Sequence, residues 1–299
     1  MSILNRKLLR EALKRKKPYD PDKKYDYKKM REEADKVLIK PFDVPEGITL
    51  KRFNLNKSAF LLMTKESNPK DKIIYHIHGG GFSGGNIERN IPYLTYVVDK
   101  LGYNIIGINY PLAPEHPFPE GLNECVKGYE YLLKEYDGKN IVLIGGSAGG
   151  NLVLATLLKI KEKKLPIPGL AFPLSACLQF DQQLESYTKN EKTCVLTNSI
   201  IRQIVDTYLL GDEKLLKNPF VAPLYGDFAG LCPIYIFVSK SEILYDDSVL
   251  MYKRLLEQGV KTKLFARRGL VHVWVCNINL REGRRDLRVI KRLIDKTLK

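Results

Sequence analysis

The chain is most tightly constrained by one stretch, Ile141-Val142-Leu143-Ile144-Gly145-Gly146-Ser147-Ala148-Gly149-Gly150-Asn151-Leu152. Four aliphatic residues, three of them β-branched, run into two glycines, a serine, and then a second small-residue run that opens an apolar helix reaching Leu157 and Leu158. This order predicts a buried strand, a sharp turn and a helix start. Gly145-Gly146-Ser147-Ala148-Gly149 matches G-x-S-x-G, in which Gly145 and Gly149 let strand and helix backbones close on a strained turn. Ser147 then stands at a helix N-terminus, where free N–H groups and the positive end of the dipole favour a developing oxyanion. A phosphate-binding loop also begins with glycines, but no lysine follows these.

A second glycine run lies upstream, at the end of Lys72-Ile73-Ile74-Tyr75-His76-Ile77-His78-Gly79-Gly80-Gly81-Phe82. Glycines directly after a strand leave backbone N–H groups open to approach, so Gly79 and Gly80, with Ala148 after the serine, are candidate oxyanion donors. His78 and Gly81 complete that motif, and Phe82 beside it is a candidate pocket wall. His76 and His78 share a strand face, but the chain holds four histidines in all and the pattern suggests no metal site.

Between these motifs strand and helix alternate. A helix is expected over residues 87–101, a strand over 104–110, and a helix over 120–136, with a proline-rich loop, Pro111 to Pro119, that cannot continue regular structure. Before them, 48–64 alternates around Asn56-Lys57-Ser58 as an antiparallel edge hairpin. The alternation predicts an α/β fold with a mostly parallel sheet.

An acid and a histidine are needed downstream of the serine. The strand Ile234 to Val238 ends near Glu242, Asp246 and Asp247, all placed where open α/β sheets carry their sites. His272 follows the final strand, Lys263 to Arg267, and no other histidine lies downstream of Ser147. Trp274 beside it is a second candidate pocket wall.

The net charge of +15 suggests nucleic acid until it is located. Residues 1–40 carry +7 and residues 281–299 carry +5, which leaves +3 for the 240 residues between. No fold-wide basic groove is indicated, and no nucleic-acid partner is expected; the terminal charges read as solvated helix faces or as contacts to an anionic surface. The five cysteines are widely spaced, with no C-x-x-C pair. Without an apolar leader or an apolar run of about 18 residues, a cytoplasmic protein without stable membrane insertion is expected.

Residues 1–45 read as an N-terminal helical cap segment, with Leu4, Leu8 and either Glu11 or Ala12 on the inner face of its first helix. Residues 46–299 are expected to form the catalytic domain, with a second cap element around 178–225 containing a helix from Asn198 to Leu210. Together the two cap elements are expected to form the substrate pockets.

The chain resembles the α/β-hydrolase superfamily, and within it the hormone-sensitive-lipase-like esterases of the bacterial carboxylesterase and acetyl-hydrolase group. The resemblance rests on His78-Gly79-Gly80-Gly81-Phe82, on Tyr110 with Leu112-Ala113-Pro114-Glu115-His116-Pro117-Phe118-Pro119, and on Ser147-Ala148-Gly149-Gly150-Asn151, and covers about residues 40–280. It implies an eight-stranded sheet flanked by helices, a helical cap, no cofactor, and hydrolysis of short-chain or compact acyl esters by Ser147, Glu242 and His272. Aligned on the family's acid pattern, Glu242 takes the triad position and Asp246 a later, structural one. Where the family usually has Asp before the serine and Arg after the loop tyrosine, this chain has Gly146 and Pro111. Related hydrolases of amides, lactones or peptides, and non-catalytic receptors on the same fold, remain alternatives; the receptors lose the histidine that His272 supplies here. A homodimer stays open.

Overall fold

The computed structural model describes residues 2–181 and 184–298, so Gln182 and Gln183 of the expected second cap element lie outside it. Eight strands form one sheet in the order β1-β2-β4-β3-β5-β6-β7-β8. They are β1 (Ile48–Leu55), β2 (Ser58–Lys65), β3 (Ile73–Ile77), β4 (Asn104–Asn109), β5 (Ile141–Gly146), β6 (Leu170–Leu174), β7 (Ile234–Ser239) and β8 (Thr262–Arg267). The edge hairpin forms as expected: β1 and β2 pair antiparallel across Asn56, whose φ of 53° makes the turn. β2 also runs antiparallel to β4, and every later pairing is parallel.

Alternate residues of the central strands serve two cores. Tyr75, Ile77, Leu143 and Ile236 face one, with α4 (Glu120–Leu132), α5 (Ala148–Glu162) and α8 (Tyr245–Glu257) laid over them. Ile74, Ile144 and Phe237 face the other, covered by α3 (Ile91–Tyr96) and α9 (Arg281–Thr297). On α9, Leu287, Ile290, Ile294 and Leu298 turn inward, and the exposed face keeps the charge, as a 3.6-residue period requires. The single helix expected over 87–101 is instead three pieces: a 3-10 turn over Glu88–Asn90, α3 with Pro92 in its first turn, and a π-turn over Val97–Leu101 that stops at Gly102 (φ 76°).

The remaining helices are α1 (Ile3–Arg15), α2 (Tyr27–Leu38), α6 (Glu185–Lys189) and α7 (Ser199–Tyr208). α1 departs from the expected amphipathic pattern. Its fully buried residue is Asn5, whereas Leu4 is 40% exposed. Asn5 donates through Nδ2 to the Gly269 carbonyl (2.7 Å) and accepts through Oδ1 from the Val271 N–H (3.2 Å). The connector to α2 docks on α7, where the Tyr19 N–H donates to Ser199 Oγ (2.7 Å). No helix among the described residues is long and apolar enough to cross a membrane.

Candidate active site

Ser147 sits between β5 and α5 with φ 56° and ψ −124°, a region that a non-glycine residue occupies only under constraint. The constraint is steric and visible at the glycines. A Cβ on Gly149 would lie 2.1 Å from the Ile77 carbonyl oxygen, and one on Gly145 would lie 2.4 Å from the Gly149 oxygen. No other residue lets β3, β5 and the start of α5 come this close. The Ser147 N–H donates to the Leu174 carbonyl (2.8 Å), which fixes the turn to β6 and leaves the half-buried serine at the helix start.

The glycine loop abuts this turn. A Cβ on Gly79 would stand 2.5 Å from the Gly146 oxygen and 3.2 Å from Ser147 Cβ, so the loop backbone packs directly on the serine. Gly80 and Gly81 take φ of 131° and 61°. Neither the Gly79 nor the Gly80 N–H donates to another group among the described residues, and Ala148, as the first residue of α5, has no intrahelical acceptor. His78 serves the loop rather than the cavity. Its Nδ1 donates to the Gly79 oxygen (2.8 Å), its ring stacks on Tyr110 at 4.3 Å, and Tyr110 Oη donates to the His78 carbonyl (3.0 Å). Burial lowers the His78 pKa to about 4, so the ring is neutral.

Of the three acids after β7, Glu242 alone meets the histidine. His272 Nδ1 lies 2.6 Å from Glu242 Oε2, and Oε1 of the same buried carboxylate accepts from Ser175 Oγ (2.9 Å) and the Ser239 N–H (3.1 Å). Asp246 instead accepts the Ser186 N–H (2.8 Å). Asp247 is buried against the Leu178 N–H and Tyr187 Oη, and desolvation pushes its pKa up to about 7. Nε2 of His272 is buried and unpartnered among the described residues, and His272 lines the same cavity as Ser147. Gly146, where the resembled family usually has Asp, is matched by its neighbour: a Cβ there would lie 2.6 Å from Val273 Cγ1, and Val273 itself is held at φ 52°.

The cavity measures about 610 Å³, and Gly79, Gly80, Ser147, Ala148 and His272 line it. Two expected walls are corrected. Phe82 is buried with its ring stacked on Tyr208 at 4.0 Å, because its φ of 60° turns it away from the cavity into the core. Trp274 is fully buried, its indole N–H donating to Asp286 Oδ2 (3.0 Å). The wall comes instead from Leu196, Ile200, Gln203 and Ile204 of the 178–225 element, and from residues near α3 and after His272. The N-terminal helices, expected to share in the pockets, contribute no lining residue. They lie one layer out, with Arg31 donating to the Ser83 and Ala113 carbonyls (3.1 and 3.4 Å). Ser175, Ser239 and Asn5 were not singled out from sequence, since a lone polar residue past a strand or on a helix carries no pattern.

A family profile described as alpha/beta hydrolase fold matches residues 74–276, which contain the elbow, the glycine loop, Glu242 and His272. The chain belongs to the α/β-hydrolase family. An esterase of Acinetobacter venetianus is 32% identical over 191 residues, which is 64% of this chain and 63% of that esterase. An acetyl-hydrolase of Streptomyces hygroscopicus is 27% identical over 221 residues, 73% of each chain. The crystal structure of an esterase from the bacterial hormone-sensitive lipase family superposes on this α/β-hydrolase with a TM-score of 0.89 at 26% identity, over 100% of this chain and 99% of that one.

Proposed function

We propose that this α/β-hydrolase is a serine carboxylesterase for short-chain or compact acyl esters, working through Ser147, His272 and Glu242 and a covalent acyl-enzyme. The observation that carries the reading is His272 itself: one ring nitrogen is held at 2.6 Å by a buried carboxylate, and the other is unpartnered beside the cavity that Ser147 shares. The Glu242 contact fixes the tautomer with the proton on Nδ1, so Nε2 takes the Ser147 hydroxyl proton as Oγ bonds to the ester carbonyl carbon. The carbonyl oxygen becomes an oxyanion, received by the N–H groups of Gly79, Gly80 and Ala148, a contact type worth roughly 10²–10³ in rate for each donor. Collapse breaks the bond to the alcohol oxygen, which leaves with the proton from Nε2. Water, deprotonated by the same nitrogen, then attacks the acyl carbon and releases the acid and free Ser147.

A cavity of about 610 Å³ has room for a small-molecule ester. Relatives named esterase and acetyl-hydrolase support that class. Segments 1–45 and 178–225 act as the cap, the second walling the cavity and the first bracing it. The test is hydrolysis of p-nitrophenyl acetate, butyrate, octanoate and palmitate, with an acyl anilide alongside, by the wild type and Ser147→Ala. Turnover of the short esters that vanishes in the variant is expected; ester turnover indifferent to Ser147 overturns the reading.

A further inference from the structure

The cavity beside Ser147 has two unlike sides. One is apolar, formed by Leu196, Ile200, Ile204 and Leu244. The other runs between α3 and the loop after His272 and is lined by Asn90, Tyr93, Cys276 and Asn277, with His76 of β3 also in the lining. His76 and Tyr93 are 1% and 2% exposed. Neither ring nitrogen of His76 has a hydrogen-bond partner among the described residues. The Tyr93 hydroxyl has no oxygen or nitrogen partner either, and its hydrogen bond is to the Cys276 thiol, a weak partner. The two rings are 5.2 Å apart, so the unpartnered imidazole and this hydroxyl belong to one place.

A buried polar group without a partner is costly, and an apolar side chain of similar shape would fill either position at no such cost. An unpartnered His76 and a Tyr93 hydroxyl bonded to a thiol, on separate elements that line one cavity, indicate a ligand that completes their bonds. The chemistry of that ligand follows from charge. Burial lowers the His76 pKa to about 3, so its ring is neutral and offers one donor and one acceptor. Tyr93, likewise buried, keeps its proton and does both. The nearby Arg89 is already paired with a carboxylate, its Nε 2.7 Å from Asp35 Oδ1, so its charge is offset. A hydroxyl is the smallest organic group that both donates and accepts without charge.

We propose that this polar branch is a subsite for a hydroxyl-bearing limb of the ester, with His76 and Tyr93 as the residues that select it, so that the preferred substrates are esters of hydroxy acids or of polyols. The inference rests on the esterase reading above. Specificity constants are measured for two matched pairs, p-nitrophenyl butyrate against p-nitrophenyl 3-hydroxybutyrate, and butyl butyrate against 4-hydroxybutyl butyrate. The first pair places the hydroxyl on the acyl limb and the second on the alcohol limb. The wild type is expected to favour the hydroxylated member of one pair by about tenfold or more, since a site built to bond a hydroxyl discriminates strongly against its absence. Tyr93→Phe and His76→Leu are expected to bring that ratio to within about threefold of one. Tyr103→Phe, a buried tyrosine of the same helical layer outside the cavity lining, keeps the wild-type ratio. Ratios near one in both wild-type pairs, a ratio indifferent to both Tyr93→Phe and His76→Leu, or a ratio lost equally in Tyr103→Phe, overturn the subsite. Absence of all ester turnover would instead strike the esterase reading itself.

Discussion

The carboxyl end of the sheet and the segments laid over it are built on different principles. At the sheet end, glycines are used where any Cβ would fall within 2.1–2.5 Å of a backbone oxygen, and the Glu242 carboxylate has its contacts supplied by Ser175, Ser239 and His272. The N-terminal covering segment holds on by scattered side-chain bonds, such as Arg31 with Glu115, whose side chains are 20% and 42% exposed. The geometry at the sheet end is thus fixed by hard contact, which tolerates no drift, while the N-terminal cover hangs on contacts that cost little to change.

The sharpest way to break this comparison is at the acids. Glu242→Gln is expected to lower kcat by roughly 10³–10⁴, because the amide no longer holds the productive tautomer. Asp246→Asn, four residues on and bonded to the Ser186 N–H of α6 rather than to His272, should stay within about threefold of wild type. Equal losses in steady-state kinetics would show that the packed site is not specific to one carboxylate.

Next in size is acid sensitivity. His76 and His78 have pKa values lowered by burial to about 3 and about 4, against an unfolded value near 6.5. The unfolded chain therefore binds more protons in this window, so stability is complete above about pH 6.5 and is lost as pH falls toward 4, on the order of 1 kcal/mol per pH unit for each ring. Urea unfolding at a series of pH values should show that slope, and His76→Leu should flatten part of it.

Asn5 tests the boundary between the two regions, since it reaches from the cover to the loop that carries His272. Asn5→Ala leaves the Gly269 carbonyl and Val271 N–H without that partner, a cost of about 1–3 kcal/mol. A fall in kcat accompanying the fall in melting temperature is expected; a stability loss with unchanged kcat would make α1 a brace only. The smallest effect belongs to Arg31→Ala, a partly exposed anchor, expected to cost about 1 kcal/mol or less and to change KM more than kcat.

The same contrast explains what the sequence discloses. The elbow, the glycine loop and the strand ends are legible because steric demands admit few residue types: only glycine serves at 145 and 149, and an aliphatic run such as Ile141 to Ile144 suits little but a buried strand. Glu242 stood out from Asp246 only through the family alignment, since location alone admits both. Phe82 and Trp274 misled as pocket walls because an aromatic residue beside a motif reads the same whether its ring faces cavity or core; a positive φ at Phe82 and a bond to Asp286 at Trp274 decide it, and neither is local in sequence. Asn5 is hidden in a helix whose leucines suggest an apolar inner face. The His76 and Tyr93 pairing depends on two elements meeting across the sheet face, which periodicity cannot report.

The most direct test of the central claim is covalent. Incubation with p-nitrophenyl diethyl phosphate, read by p-nitrophenol release and peptide mass mapping, is predicted to give one equivalent of p-nitrophenol and a single diethylphosphoryl group on Ser147, with ester turnover lost in step. Modification at another residue, or full loss of turnover with Ser147 unmodified, would contradict the account.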